Sequence, residues 1–393
     1  MTKALDGVKV LELCHAYNGP FCGMILADHG AQVLKVESPK GDQCRTWGPF
    51  DKKSGESGFF AFLNRNKKGI TLNLKNEKAL EMFYELVKDA DVVIENYRTG
   101  VAKKLKVDYA ALKKINPRII YGSSSGFGQT GPLSNRPCYD IVAQSMGGMV
   151  NMTGFPDGPP TKVGPSIADN VTGVFLCVGV LMALYSREKT GVGQQIDVAM
   201  LDTIFSLLEN GIVNYTVAGK ISQRQGNIDP SIAPFDIFKA EDGYIAIGVG
   251  NDKLFKIFCE TIGHEELLEN PKFRTNDLRC KNYVGNLQNI IQEWVSAKKR
   301  NYIEKLFDIV GLPCGPVLDI KEAIEQSQIK ARNMMVEVDH PTMGKTKFQG
   351  VTIKLSETPG SVDFAAPLLG QHNREIFNLS KKKYKNMKEK GIF

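Results

Sequence analysis

A carboxylate directly ahead of a long apolar stretch is the first place on this chain to look for chemistry. Asp169 precedes Asn170–Ser186, which reads as a long apolar helix. On local sequence the position reads as an N-cap, because an aspartate side chain accepts from the unpaired N–H groups of a helix's first turn. A glycine-rich run is the second candidate. Gly126-Phe-Gly-Gln-Thr-Gly131 has the G-x-G-x-x-G spacing that brings backbone N–H groups close to a pyrophosphate. It follows a predicted strand, but Pro132 and Leu-Ser-Asn-Arg-Pro come next, where a dinucleotide site needs an opening helix. The expected acidic residue at a second strand's end is also missing downstream, so a nicotinamide dinucleotide is not expected there. A third candidate is the turn Cys-His-Ala-Tyr-Asn-Gly-Pro, residues 14–20. It lacks the three glycines, and Glu37 stands where a ribose-binding acid would. The turn still presents backbone N–H groups at a helix N-terminus, which suits some other anionic or nucleotide ligand.

The elements that must position these residues alternate. Val8–Leu13 is a β-branched-rich strand, and Pro20 suits the first turn of a helix that runs to about Gly30. Gln32–Glu37 is a second strand, which makes one βαβ unit and predicts a parallel sheet. Strands at Gly69–Leu74, Ala90–Glu95 and Arg118–Ser123 follow, with helices at Glu77–Val87 and Val107–Ile115 between them. Residues 1–125 thus read as a doubly wound α/β domain. A helix near Ile141–Met149, the apolar helix, a strand at Gln194–Ala199 and a helix over Met200–Ala218 come next. Lys220–Pro234 reads as a linker or lid, and a smaller α/β unit begins at Phe235.

Composition narrows the class. Of 393 residues, 42% are apolar and 24% charged, which is ordinary for globular proteins. The longest apolar run, Val171–Tyr185, is about 15 residues where a membrane span needs about 20, so a core helix is expected and no membrane association. The N-terminus lacks an apolar signal segment, which predicts a cytoplasmic location. The formal charge of +7 is concentrated at Lys381–Lys390, with six lysines and one glutamate. The near-neutral body argues against nucleic acid as a partner. The eight cysteines include no CxxC pair and the five histidines no HxH or HxxxH spacing, so no metal is expected.

A series of segments, in order over nearly the whole chain, resembles the class III CoA-transferases, the CaiB/BaiF family. They are Leu5-Asp-Gly-Val-Lys-Val-Leu-Glu-Leu, Gly19-Pro20, Ala27-Asp-His-Gly-Ala-Gln-Val-Leu-Lys-Val-Glu37 and Asn66-Lys-Lys-Gly-Ile-Thr-Leu-Asn-Leu. Glu95-Asn96, Ile115-Asn-Pro-Arg, Tyr139-Asp140, Thr153-Gly-Phe, Gly158-Pro-Pro-Thr and Ala168-Asp169 follow. Lys189-Thr-Gly-Val-Gly-Gln, Gly311-Leu-Pro-Cys-Gly-Pro-Val and Ala366-Pro-Leu-Leu-Gly-Gln-His372 complete the series. The resemblance extends to formyl-CoA and carnitine CoA-transferases. It implies a Rossmann-like large domain (1–220) closed by a C-terminal segment (317–393), a linker or lid (221–234), and a smaller α/β domain (235–316). It also implies two ring-shaped chains interlocked as a homodimer.

The implied activity is transfer of coenzyme A from an acyl-CoA donor to a small carboxylic acid, with CoA as cosubstrate and no tightly bound cofactor. Asp169 becomes the nucleophile, through an aspartyl anhydride and an aspartyl-CoA thioester. A carboxylate suits this because its acyl derivatives stay activated, and a helix N-terminus favours its ionised form. The resemblance places His15, Ala16, Arg98, Lys104, Tyr139 and Met200 against CoA. As bland alternatives, His15 is a loop histidine, Arg98 a surface charge, Tyr139 a core tyrosine and Met200 packing. Three departures stand out. Tyr17 replaces a glutamine and Ser38 an arginine of formyl-CoA transferases, and their glycine-rich lid is replaced by Gly226-Asn-Ile-Asp-Pro-Ser-Ile. An α-methylacyl-CoA racemase shares the fold and the aspartate but needs a second base. Tyr139 stands where racemases have a histidine, and a tyrosine hydroxyl is a poor base near neutrality. A non-catalytic CoA-binding protein is the remaining alternative.

Overall fold

The computed structural model describes residues 2–393. Six strands form its main sheet: β1 (Lys9–Glu12), β2 (Gln32–Glu37), β3 (Lys68–Thr71), β4 (Val92–Glu95), β5 (Ile120–Ser125) and β6 (Gln195–Ala199). All pair in parallel, in the order β3-β2-β1-β4-β5-β6. The expected doubly wound α/β fold is present. The order reverses direction between β1 and β4, so their C-terminal ends flank the crevice where open α/β sheets bind ligands.

Alternate residues along the strands feed two cores. Val10, Val33, Val92, Ile94 and Ile120 pack under helices Asn18–Asp28 and Ile167–Thr190. Leu11, Leu34, Val36, Val93 and Tyr121 pack on the other side with Phe83 and Val87 of the Glu77–Lys88 helix and with Ile392 and Phe393. A strand such as Val92–Glu95 is apolar on both sides because both faces are covered.

The apolar helix is longer than the sequence reading allowed. It runs over 24 residues, Ile167–Thr190, and ends at Gly191 in the left-handed conformation. By length and apolar composition it is able to cross a membrane. The expectation that no segment reaches that length is corrected, because polar residues at both ends extend the helix beyond its uninterrupted apolar run. Thr172, Leu176, Cys177, Val180, Ala183 and Arg187 are buried at helical spacing. Gly173 lets the Asn18–Asp28 helix come close, since a Cβ there would lie 2.6 Å from the Asn18 carbonyl oxygen. The expected single helix over Met200–Ala218 is two, Met200–Ser206 and Asn210–Ala218, broken where Glu209 takes a positive φ of 45°.

The chain divides into a large unit (1–149, 162–209 and 327–393) and a smaller one (150–161 and 210–326). Residues 150–161, 210–220 and 317–326 thus group with the smaller unit, unlike the boundaries expected from sequence. Its sheet has β7 (Phe235–Ala240), β8 (Gly243–Gly248) and β9 (Cys314–Pro316), all antiparallel. Within this unit the Gly226 N–H donates to the Gly154 carbonyl, which ties the expected lid segment to residues 150–161.

In the large unit the C-terminal segment packs back on the sheet. The Thr71 N–H donates to Asn373 Oδ1 and the Gly69 N–H to His372 Nδ1. Buried Arg65 pairs with Asp28 at 2.7 Å and donates to the Gln349 carbonyl, while Asn66 bonds Ser361, Asp363 and Phe364. Removing one partner of such a pair leaves an uncompensated buried charge. Asp28→Ala is therefore expected to lower stability by about 3 kcal/mol, measured as a loss of urea midpoint at unchanged m-value.

Candidate active site

Asp169 is not the N-cap of the apolar helix. The helix begins at Ile167, its cap residue Ser166 makes no side-chain cap bond, and Asp169 lies within the first turn. The capping bond comes from elsewhere: Asp140 Oδ1 accepts from the Ala168 N–H at 2.9 Å. Asp140 Oδ2 is held by the Gln144 side chain at 2.7 Å. The cap expected of Asp169 is thus supplied by a second aspartate, and the Asp169 carboxyl is left for other work.

Its environment is unfavourable to charge. Burial foremost, then the neighbouring Asp140 carboxylate, push the Asp169 carboxyl up to about 7, against a hydrogen bond from the Asn18 side chain. The carboxyl is thus ionised in a large fraction of molecules at neutral pH but poorly solvated, a state suited to a nucleophile. Burial and the Asp169 charge also raise Tyr17 above the usual phenol range and push the Cys138 thiol up to about 11. The Tyr17 hydroxyl donates to Asn170 Oδ1 at 2.8 Å.

The other expected residues fall in two groups. His15 and Ala16 follow β1 and Arg98 follows β4, at the strand ends where the sheet order reverses, while Lys104 closes the short helix Val101–Lys104 further on. Asn96 joins the two loops: its Oδ1 accepts from the His15 N–H and its Nδ2 donates to the His15 carbonyl. The His15 ring rests on Tyr97 with centroids 5.5 Å apart, and burial holds it below the usual histidine range. Ala16 has a positive φ of 60° and gives its N–H to Asp42 Oδ1. The first βα turn spends the N–H groups of His15, Ala16 and Gly19 on side chains of the protein itself, so those three are engaged within the chain. Arg98 and Lys104 are exposed, in a stretch that also holds Lys103 and Lys106.

Tyr139 is 66% exposed, so the core reading of it is corrected. It immediately precedes the helix Asp140–Met146. Met200 is buried with Ala143, Ala168 and Ile204, directly behind the turn that carries Asp169, where it packs. The glycine-rich run is closed to phosphate: Gly128 N–H donates to Ser125 Oγ, Gln129 N–H to Asp197 Oδ2, and no helix opens before Asp140. Among the described residues no cluster of three or more His, Cys, Asp or Glu side chains is arranged to hold a metal.

Asn18, Asp140 and Asn96 had no role in the sequence reading. Their only local signal was adjacency, with Asn18 next to the matched Gly19-Pro20 and the other two inside matched dipeptides.

The model of CoA-transferase family III matches residues 5–373. The chain is 43% identical over 364 residues to the acetyl-CoA:oxalate CoA-transferase of Acetobacter aceti, covering 91% of this chain and 92% of the other. It is 38% identical over 377 residues to the succinyl-CoA–D-citramalate CoA-transferase of Chloroflexus aurantiacus, covering 95% and 93%. It is 37% identical to the human succinyl-CoA:glutarate CoA-transferase, covering 95% and 85%. Among solved structures it is similar to a CaiB/BaiF family protein from Brucella suis, with a TM-score of 0.86, 38% identity, and 96% and 99% coverage.

The raised carboxyl has a consequence for stability. A carboxyl whose folded value lies above its unfolded value binds more protons when folded, so its contribution worsens as pH rises from about 4 to about 7. Asp169→Asn removes that penalty. It is expected to raise stability by about 2 kcal/mol at pH 8 and to change it little at pH 4, read as the difference in melting temperature at the two pH values.

Proposed function

Because the chain belongs to CoA-transferase family III and is a CoA-transferase, we propose that it moves coenzyme A between carboxylic acids through covalent intermediates on Asp169. The observation that carries this is the half-buried Asp169 carboxyl, pushed up to about 7, in the first turn of a 24-residue helix whose cap is made by Asp140. An Asp169 oxygen attacks the donor thioester carbonyl, the C–S bond breaks, and CoA leaves as thiolate from a mixed anhydride. The thiolate attacks the aspartyl carbonyl, which frees the donor acid and forms aspartyl-CoA. The acceptor carboxylate attacks the same carbonyl, giving a new anhydride and thiolate. The thiolate then attacks the acceptor's acyl carbon, which yields the new thioester and restores Asp169. Each bond broken is replaced by one of similar energy, so neither ATP nor a further cofactor is needed.

CoA lies in the crevice between β1 and β4. Arg98 and Lys104 meet its phosphates, while His15, Ala16 and Tyr139 line its path. Met200 acts from behind, through packing. The acceptor is a small carboxylic acid, and the names of the relatives favour a dicarboxylate. A racemase would need a second base facing the substrate, and the exposed Tyr139 is a poor one. Eight free cysteines, five of them buried, fit a reducing cytosol.

The functional unit is a homodimer. Val174, Phe175, Val178, Leu181, Met182 and Tyr185 leave an apolar stripe exposed along the 24-residue helix, an unusual surface for a monomer. Light scattering in detergent-free buffer is expected to give twice the mass of the 43.4 kDa chain, and a monomeric mass rejects the dimer.

Incubation with an acyl-CoA donor, then hydroxylamine and peptide mass spectrometry, is expected to give a hydroxamate at Asp169. Asp169→Asn is expected to lower transfer by about 10⁴-fold or more. Undiminished transfer in that variant, with deamidation excluded, rejects the mechanism.

A further inference from the structure

The family match ends at residue 373, and the densest charge of the chain lies beyond it. Residues 381–390 hold six lysines and one glutamate, +5 of the formal +7. They form a helix, Lys381–Glu389, capped by Ser380, whose Oγ accepts from the Lys383 N–H. Its inner face is apolar. Tyr384 and Met387 pack on the core, and the Tyr384 ring centroid lies 5.2 Å from that of Phe393. All six lysines are exposed. Among the described residues none of them enters an ion pair. Acids on the neighbouring elements are already taken, Glu375 by Lys68, and Glu81 and Glu85 by Lys78 and Lys88. The arrangement works against the helix itself. Three lysines crowd its first turn, where the helix dipole disfavours cations, and Lys381 and Lys385 repel at i,i+4 spacing. The charge therefore does not serve the fold.

Hydrogen bonds fix where this helix ends. Asn73, just past β3, donates its N–H to the Ile392 carbonyl and its Nδ2 to the Gly391 carbonyl. That is the carboxyl edge of the parallel sheet, the edge at which the crevice between β1 and β4 opens. β3 lies two positions from β1, about 10 Å at the usual strand spacing. The field of an exposed charge reaches about that far at 0.1 M salt. Exposed Arg98, Lys103 and Lys104, which follow β4, continue the same sign.

Resting on the reading that acyl-CoA binds in that crevice, we propose that the lysine helix is an electrostatic collector for the CoA thioester. The pyrophosphate and 3′-phosphate make CoA a polyanion, while the body of the protein is near neutral. Exposed charge of one sign beside a site concentrates a substrate of the opposite sign and speeds its capture. Lysine suits this role, because a mobile point charge needs no fixed geometry. The helix makes no contact with bound CoA, so it acts on association and leaves dissociation and the chemical step alone.

The test is stopped-flow binding of fluorescent etheno-CoA to the full chain, from about 0.02 M to about 0.5 M KCl. Two triple variants are compared with wild type, one with Lys381→Gln, Lys385→Gln and Lys388→Gln, the other with the same three lysines changed to Glu. At low salt the Gln variant is expected to slow association about 3-fold and the Glu variant about 10-fold. Dissociation is expected to stay within about 2-fold, and the gap to close at high salt. Arg98→Ala, measured in parallel, tests the crevice reading and is expected to speed dissociation about 10-fold. A wild-type dissociation constant in Arg98→Ala rejects that reading, and the collector with it. With Arg98→Ala impaired, wild-type association and salt slope in both lysine variants overturn the collector alone. So does a loss in those variants that lies in dissociation and persists at high salt, which marks a contact or structural role.

Discussion

Everything at the crevice depends on a sealed cluster of charges at the end of β1. Glu12, Lys35, Lys67 and Asp42 are fully or almost fully buried. Lys35 Nζ lies 3.1 Å from Glu12 Oε1 and 2.9 Å from Asp42 Oδ2, and it also donates to the Cys14 carbonyl. Lys67 Nζ pairs with Glu12 Oε2 at 2.8 Å and donates to the Pro20 carbonyl. Burial alone would push the Asp42 carboxyl up, but Lys35 and the N–H groups of Cys44 and Ala16 hold it well below the usual range. Such a cluster gives little net stability, because desolvation offsets most of the attraction. What it does is locate. Its hydrogen bonds reach the first βα turn at Cys14 and Ala16 and the following helix at Pro20, so the turn cannot shift without breaking a buried charge pair.

That rigidity is passed to Asp169 through a short path. The fixed turn sets Asn18, whose side chain lowers the Asp169 carboxyl against burial, and Asp140 completes the helix start in place of the cap. Two opposing requirements are reconciled there. A carboxylate in the role proposed for Asp169 must be ionised to attack and poorly solvated to be reactive. Burial and Asp140 supply poor solvation, while the helix N-terminus and the Asn18 amide retain the charge. Neither Asp140 nor Asn18 lies near Asp169 in sequence, and both come from elements that precede the apolar helix.

The C-terminal segment serves the same end from outside. His372 and Asn373 seal the edge strand β3, and Arg65 and Asn66 bind residues 349–364 to the start of the chain. Edge strands present unpaired backbone groups, and here side chains from just over 300 residues away pair with them. The buried partner of Arg65 is Asp28, at the end of the Asn18–Asp28 helix that also carries Asn18. The returning segment therefore steadies the far end of the element whose near end carries Asn18.

The sequence by itself determined the alternation of strands and helices, since apolar spacing and Gly or Pro punctuation are local properties. Gln32–Glu37 was located to the residue, while the strand at Gly69–Leu74 and the helix at Met200–Ala218 were misjudged, one by pairing partners and the other by a backbone kink at Glu209. Motif order singled out Asp169 as the proposed nucleophile even though its local setting read as a cap. Only the tertiary structure decided which aspartate caps the helix, that Lys35 is wholly buried within an otherwise ordinary strand, and which way the Asn18 amide points. These are questions of which groups from distant segments share a place, and hydrogen-bond partners more than 20 residues apart leave no spacing in the chain to read. The carboxylate is written in the sequence; the state in which it reacts comes from the neighbours that folding brings to it.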